Sequence, residues 1–212
     1  MKRIEWYFDF VSPFAYLQNR LLDRFRHKAE IVYRPVVFAG LLKAWGNVGP
    51  AEIPAKRKMT YRFCQWWADA NRIPFKLPPT HPFNPIRALR LALAYDAESR
   101  VVDRIFTAIW AEGREINDPA VWAEVVKSLD LDAAAVEARI GAQDVKDGLH
   151  KATDDAVKRG VFGVPTFIID GEIFWGMDAT NFALDYLRDP GLLKRGELAR
   201  VDSVPASAER KR

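Results

Sequence analysis

The chain has 212 residues, with 49% hydrophobic and 28% charged side chains and a formal net charge of +4, the make-up of an ordinary globular protein with room for a normal core. A single cysteine, Cys64, excludes an internal disulfide framework and a cysteine-based metal cluster, so no metal is expected. No Lys/Arg stripe interleaved with aromatics points to nucleic acid, and no apolar run approaches the ~20 residues of a membrane span, so a cytoplasmic protein with a small anionic ligand is expected.

Ile4 to Val11 is short, aromatic and rich in strand-forming residues, which predicts a buried strand. Glu5, Asp9 and Pro13 argue against reading this end as a signal peptide. Ser12 followed by Pro13 opens a helix, with Ser as N-cap and Pro at the first helical position, and the helical spacing runs to near His27. Glu30 to Val37 predicts a second strand, which makes a parallel βαβ unit.

From about Ala39 to Lys158 the pattern changes to helices and loops without a convincing strand. Helices are predicted over Ala55 to Asn71, Pro85 to Asp96, Arg100 to Glu112, Val121 to Leu129 after an Asp118 cap, a short one from Asp132, and Asp144 to Lys158. Ile73 to Pro85 holds five prolines and reads as a loop. Strand chemistry returns at Gly163 to Ile169 and Glu172 to Trp175, joined by the hairpin signal Asp170-Gly171. Asp178 is a natural N-cap for a last helix to Leu187, and Arg195 to Arg212 reads as a loose polar tail. The order is α/β, thioredoxin-like: a βαβ…ββα sheet with a large inserted all-helical domain. The predicted boundaries are 1–38 and 159–192 for the sheet domain, 39–158 for the insertion and 193–212 for the tail.

Chemistry concentrates at four places. Ser12 stands where a strand ends and a helix begins, and a thiolate beside it would meet a hydroxyl donor and the helix amino terminus. By itself a Ser-Pro pair is a plain cap. Gly163-Val164-Pro165-Thr166-Phe167 places a proline at a strand entrance, where a cis bond would present the Val164 backbone for pairing with an extended peptide. Gly46-Asn47-Val48-Gly49-Pro50 is a turn-rich loop in which Asn47 offers a donor and an acceptor, with the Lys56 cation nine residues from it. Trp175-Gly176-Met177-Asp178 adds a carboxylate that suits a ligand ammonium group. His27, His81 and His150 read as surface or core residues, and Cys64, among Phe63, Trp66 and Trp67, as a small buried hydrophobe. The seven tryptophans read mostly as core, with Trp45, Trp67 or Trp175 as the candidates to face an aromatic substrate.

The run Tyr7-Phe8-Asp9-Phe10-Val11-Ser12-Pro13-Phe14-Ala15-Tyr16-Leu17, with the three motifs just described, resembles the 2-hydroxychromene-2-carboxylate isomerases. These are relatives of kappa-class glutathione transferases and more distantly of the DsbA oxidoreductases. The resemblance covers roughly residues 4–188. It implies glutathione as cofactor, with Ser12 as the catalytic residue holding the sulfur. It also implies Asn47 and Lys56 on the tripeptide, Val164 before a cis Pro165 on the cysteinyl backbone, and Asp178 on the γ-glutamyl end. The implied activity converts 2-hydroxychromene-2-carboxylate to trans-o-hydroxybenzylidenepyruvate by reversible thiolate addition, in naphthalene-type catabolism. A kappa-like transferase or peroxidase acting on other electrophiles is the alternative. The implied partner is a small aromatic carboxylate, and the implied assembly a homodimer. Ser12-Pro13-Phe14-Ala15 carries no cysteine, which rejects thiol-disulfide exchange. Ala51-Glu52-Ile53 replaces the polar pair the resemblance leads one to expect after Pro50.

Overall fold

The computed structural model describes residues 1–208. Its sheet has four strands in the order β2-β1-β3-β4: β1 Lys2–Phe8, β2 Ala29–Pro35, β3 Thr166–Ile169 and β4 Glu172–Trp175. β1 pairs parallel to β2 and antiparallel to β3, and β3 pairs antiparallel to β4. The amino-terminal and carboxy-terminal halves thus meet at the β1–β3 ladder, with Tyr7 opposite Thr166.

The hydrophobic run of β1 follows from its central place in the sheet, since both faces are covered. Ile4, Trp6 and Phe8 enter the main core, while Tyr7 faces a second cluster with Val36, Leu41, Val161, Val164 and Ile168. Phe10, beyond the strand, packs its ring 4.8 Å from Phe106, and the Trp110 indole donates to the Phe10 carbonyl at 2.9 Å. One apolar core therefore runs without a break from the sheet into the helical block.

The helical block lies between β2 and β3. It comprises α2 Phe38–Trp45, α3 Pro54–Ala70, α4 Ile86–Ala94, α5 Ser99–Phe106, α6 Pro119–Ser128, α7 Ala133–Gly141 and α8 Gln143–Lys158. The Asp118 cap forms as the sequence predicts, accepting from Ala120 N and Val121 N, and Asp132, where the short helix is expected to start, caps it by accepting from Ala135 N. The predicted helix over Arg100 to Glu112 divides, α5 passing into a π turn over Thr107–Ala111. The proline-rich span between α3 and α4 is irregular, as expected, and carries a cis bond at His81-Pro82. The Asp170-Gly171 turn has φ of 52° and 91°, the left-handed pair that joins two twisted strands tightly.

Four expectations need correcting. The first strand ends at Phe8, short of Val11, because the Asp9 carboxylate draws Val11 N and Phe38 N to itself and the Asp9 carbonyl accepts from Ser12 N. The first helix, α1 Pro13–Asn19, stops well before His27. A separate 3-10 turn follows at Leu22–Phe25, and His27 has a left-handed φ of 63°. Asp178 is not the cap of the last helix, α9 Thr180–Arg188: it lies in a preceding 3-10 turn, Met177–Ala179. The tail is not wholly loose, since 3-10 turns at Leu192–Lys194 and Val201–Ser203 flank a short exposed helix, α10 Gly196–Arg200. Residues 209–212 of the predicted tail lie outside the described residues.

Candidate active site

A pocket of about 820 Å³ opens where β1 gives way to α1, walled by the loop after α2, by α3, by the proline-rich loop and by the segment before β3. Ser12 is its best-defined polar group. The residue is 6% exposed and caps α1, its Oγ accepting from Ala15 N at 3.2 Å. That bond uses an oxygen lone pair, so the hydroxyl hydrogen remains to be donated into the pocket. α1 has only seven residues, so the hydroxyl, more than a long helix dipole, supplies the polarity here.

The residue before Ser12 is held from both sides. Val11 N donates to Asp9 Oδ1 at 3.0 Å, and the Val11 carbonyl lies 2.7 Å from His81 Nε2. Asp9 Oδ2 also accepts from Phe38 N at 2.8 Å, which ties the end of β1 to the start of α2. Asp9 has no exposed surface, and burial pushes its carboxyl up to about 7, against the pull of its backbone N–H donors. His81 Nδ1 meets the Tyr61 hydroxyl at 2.6 Å, and burial holds the imidazole below its ordinary pKa. Burial raises the Tyr61 hydroxyl above its ordinary pKa, and the charge of Arg57, on α3, opposes that rise while adding to the lowering at His81.

Of the residues singled out in the sequence, Ser12, Asn47 and Val164 line the pocket together. Asn47 is exposed just after Gly46, whose φ of 62° ends α2. Val164 precedes a cis bond to Pro165 and lies outside the β3 ladder, which begins at Thr166. Pro165 backs the wall, its carbonyl accepting from Gly176 N at 2.8 Å. Lys56 is exposed in the first turn of α3 and Asp178 is exposed beside Gly176, and neither lines the pocket. Of the three indoles, Trp175 is the one in the wall, 5.1 Å from the Phe162 ring. Cys64 is fully buried, with its thiol pushed up to about 12 by burial. Among the described residues no group of three or more His, Cys, Asp or Glu side chains is placed to hold a metal ion, and no helix is long and apolar enough to cross a membrane.

Asp9, Tyr61 and His81 were not singled out in the sequence for chemistry. A carboxylate inside the apolar run Tyr7-Phe8-Asp9-Phe10-Val11 is the signal that a partner must exist, since a buried charge needs one. For His81 the signal is its place in a long proline-rich loop, a kind of segment that is uncommon unless functional.

The sheet order, the Ser12 position at the strand–helix junction and the cis Pro165 define a DsbA-like thioredoxin-fold protein, and the family model for the DSBA-like thioredoxin domain matches residues 3–188. A 2-hydroxychromene-2-carboxylate isomerase of Sphingobium xenophagum is 32% identical over 193 residues, covering 89% of this chain and 99% of that protein. A glutathione S-transferase kappa 2 of Caenorhabditis elegans is 28% identical, covering 89% and 93%. A solved structure of a 2-hydroxychromene-2-carboxylate isomerase superposes with a TM-score of 0.79 at 28% identity, covering 95% and 98%. Within the DsbA-like class, the chain belongs to the 2-hydroxychromene-2-carboxylate isomerase family.

Proposed function

We propose that the protein is a glutathione-dependent isomerase that converts 2-hydroxychromene-2-carboxylate to trans-o-hydroxybenzylidenepyruvate. The observation that carries this reading is the Ser12 hydroxyl: buried in the pocket wall, with its oxygen engaged by Ala15 N and its hydrogen left to donate. It is suited to hold a sulfur anion that the chain itself does not provide, because the sole cysteine, Cys64, is buried in the core and is not among the pocket-lining residues.

The residues fit glutathione. The pocket volume is in the range of sites for drug-sized ligands, enough for a tripeptide and a small aromatic acid. Ser12 would hold the sulfur, the Val164 backbone beside cis Pro165 the cysteinyl backbone, and Asn47 the rest of the tripeptide. Lys56 and Asp178, outside the pocket lining, would meet its charged ends. When bound, glutathione supplies a thiolate nucleophile whose reversible addition turns a conjugated double bond into a single bond that can rotate. The apolar part of the wall, from Phe14, Phe38, Phe83, Phe162 and Trp175, suits an aromatic substrate. Arg57, close enough to act on Tyr61 and His81, would attract its carboxylate. The kappa-class relative supports glutathione use in the same fold, and the isomerase relatives support the aromatic acid.

The deciding experiment follows turnover of 2-hydroxychromene-2-carboxylate with and without glutathione. Glutathione-dependent formation of the trans product is expected. Turnover of chlorodinitrobenzene with none of the chromene would favour the transferase reading instead. We further propose that the protein acts in the cytoplasm as a homodimer, which sedimentation would test.

Gly163 gives a second test. A Cβ there would lie 2.6 Å from Trp175 Nε1, so the indole rests directly on the glycine backbone. Because Trp175 is half-exposed, it can swing aside. Gly163→Ala is therefore expected to raise KM for the aromatic substrate several-fold with little change in Tm. An unchanged KM would show that Trp175 is not a wall of the substrate site.

A further inference from the structure

Tyr61 and His81 approach the pocket from α3 and from the proline-rich loop, and both line it. The imidazole is bound at both nitrogens, Nε2 by the Val11 carbonyl at 2.7 Å and Nδ1 by the Tyr61 hydroxyl at 2.6 Å. A carbonyl oxygen only accepts, so Nε2 carries the hydrogen. Nδ1 of the neutral ring is then an acceptor, and the Tyr61 hydroxyl donates to it. With its hydrogen so engaged, the Tyr61 oxygen has its lone pairs available to a ligand. A second acceptor for that hydroxyl, the His81 carbonyl, lies at 3.2 Å. Burial favours the neutral form of both groups, lowering the pKa of His81 and raising that of Tyr61, and Arg57 is the charge that acts on each. Asp9 and Glu52 are the charged residues in the wall, and Arg57 does not line it.

We propose that Tyr61 and His81 form a proton relay that opens the cyclic hemiketal of the substrate, Tyr61 as the catalytic residue and His81 as the positioning residue behind it. The inference rests on the isomerase reading and adds a step in which the thiol takes no part. The Tyr61 oxygen accepts the proton of the hemiketal hydroxyl while its own proton passes to His81 Nδ1. The electron pair left on the substrate oxygen forms the carbonyl, the bond from that carbon to the ring oxygen breaks, and the ring oxygen departs with its pair as phenolate. The imidazolium then returns its proton through Tyr61 to the phenolate. One proton has moved between two oxygens of the substrate, both side chains are restored, and no oxidant or reductant is consumed. Val11 gives the relay its place, because its carbonyl fixes the imidazole and its own successor is Ser12.

The test uses the full chain with 2-hydroxychromene-2-carboxylate and no glutathione, following the ring-opened keto form by stopped-flow absorbance. Wild-type protein is expected to accelerate opening, and Tyr61→Phe and His81→Gln to lose at least about tenfold of that acceleration. The solvent deuterium isotope effect should fall in both variants, a change that loss of packing would not cause. Nitrogen-15 shifts of the free protein should report His81 hydrogenated at Nε2, independently of any activity. Opening by Tyr61→Phe at the wild-type rate, or a His81 hydrogenated at Nδ1 alone, would overturn the relay. Glutathione-dependent turnover that survives in Tyr61→Phe overturns the relay and leaves the isomerase reading standing. A wild-type protein with no glutathione-dependent turnover overturns the isomerase reading and the relay with it.

Discussion

Replacing Ser12 by alanine is expected to raise the pKa of the bound glutathione thiol by roughly 1–2 units, the worth of one hydrogen bond to a charged group, and to lower kcat/KM by about 10²-fold. Ser12 already makes one hydrogen bond in the folded chain. Its oxygen accepts from Ala15 N, so the hydroxyl rotor is biased towards donating outwards, and no rearrangement is needed when a sulfur anion arrives. The same substitution removes a helix cap, which costs about 1 kcal/mol of stability. Ser12→Gly separates the two effects, because glycine keeps most of the capping preference while also lacking the hydroxyl. Both variants should show the raised thiol pKa in an ultraviolet titration, and the alanine variant should lose more in Tm. Thiol pKa values equal to wild type in both variants would sink the proposed role, whatever happened to stability.

The part of this site that depends on local chain chemistry was legible in the sequence. Ser12-Pro13 capping a helix and Asp170-Gly171 turning a hairpin are decided by the residues themselves and their immediate neighbours, and both form as expected, while the cis bond at Val164-Pro165 forms as the proline's place at a strand entrance leads one to expect. The βαβ, helical and ββα order follows from hydrophobic patterning, helical spacing in the inserted block and, for β1, a near-continuous apolar run, because both of its faces are buried. What stayed hidden depends on partners distant in the chain. His81 reads as an isolated histidine until the fold sets it against Val11, 70 residues away, and Asp9 reads as a stray charge until it meets Phe38 N. The early end of β1 has the same origin. α2 has no capping side chain, so the sequence carried no start signal for it, and Thr153 Oγ1, from α8, accepts from Val37 N at its entrance. Asp178 failed as a cap for a different reason. An Asp before a helical pattern is a sound local signal, yet the Thr180 hydroxyl donates to the Met177 carbonyl and accepts from Gln18 Nε2, and the helix begins only at Thr180.

The contribution of Asp9 to stability should fall as pH rises from about 4 to about 7, and Asp9→Asn should remove that part of the slope. In the folded chain the Asp9 carboxyl titrates at about 7, pushed up by complete burial, while its ordinary value is 3.8. Between those values the folded state holds a proton that the unfolded state has released. The contribution of Asp9 to stability is therefore fully present below about pH 4 and is lost as pH passes through about 7. The ceiling on the effect is on the order of 4 kcal/mol, the difference in proton affinity expressed as free energy. Asparagine cannot ionise, so its contribution is constant with pH. It also has only one carbonyl oxygen for two N–H donors, Val11 N and Phe38 N, and turns an amide donor towards one of them. The variant should be less stable than wild type near pH 5, and the gap should narrow by pH 8. Urea unfolding at several pH values reads the difference directly, with the other carboxylates common to both proteins. Parallel stability curves would show that Asp9 does not titrate in this range. A narrowing gap would identify the group that anchors Val11 from one side, as His81 does from the other, and so fixes where the Ser12 hydroxyl stands.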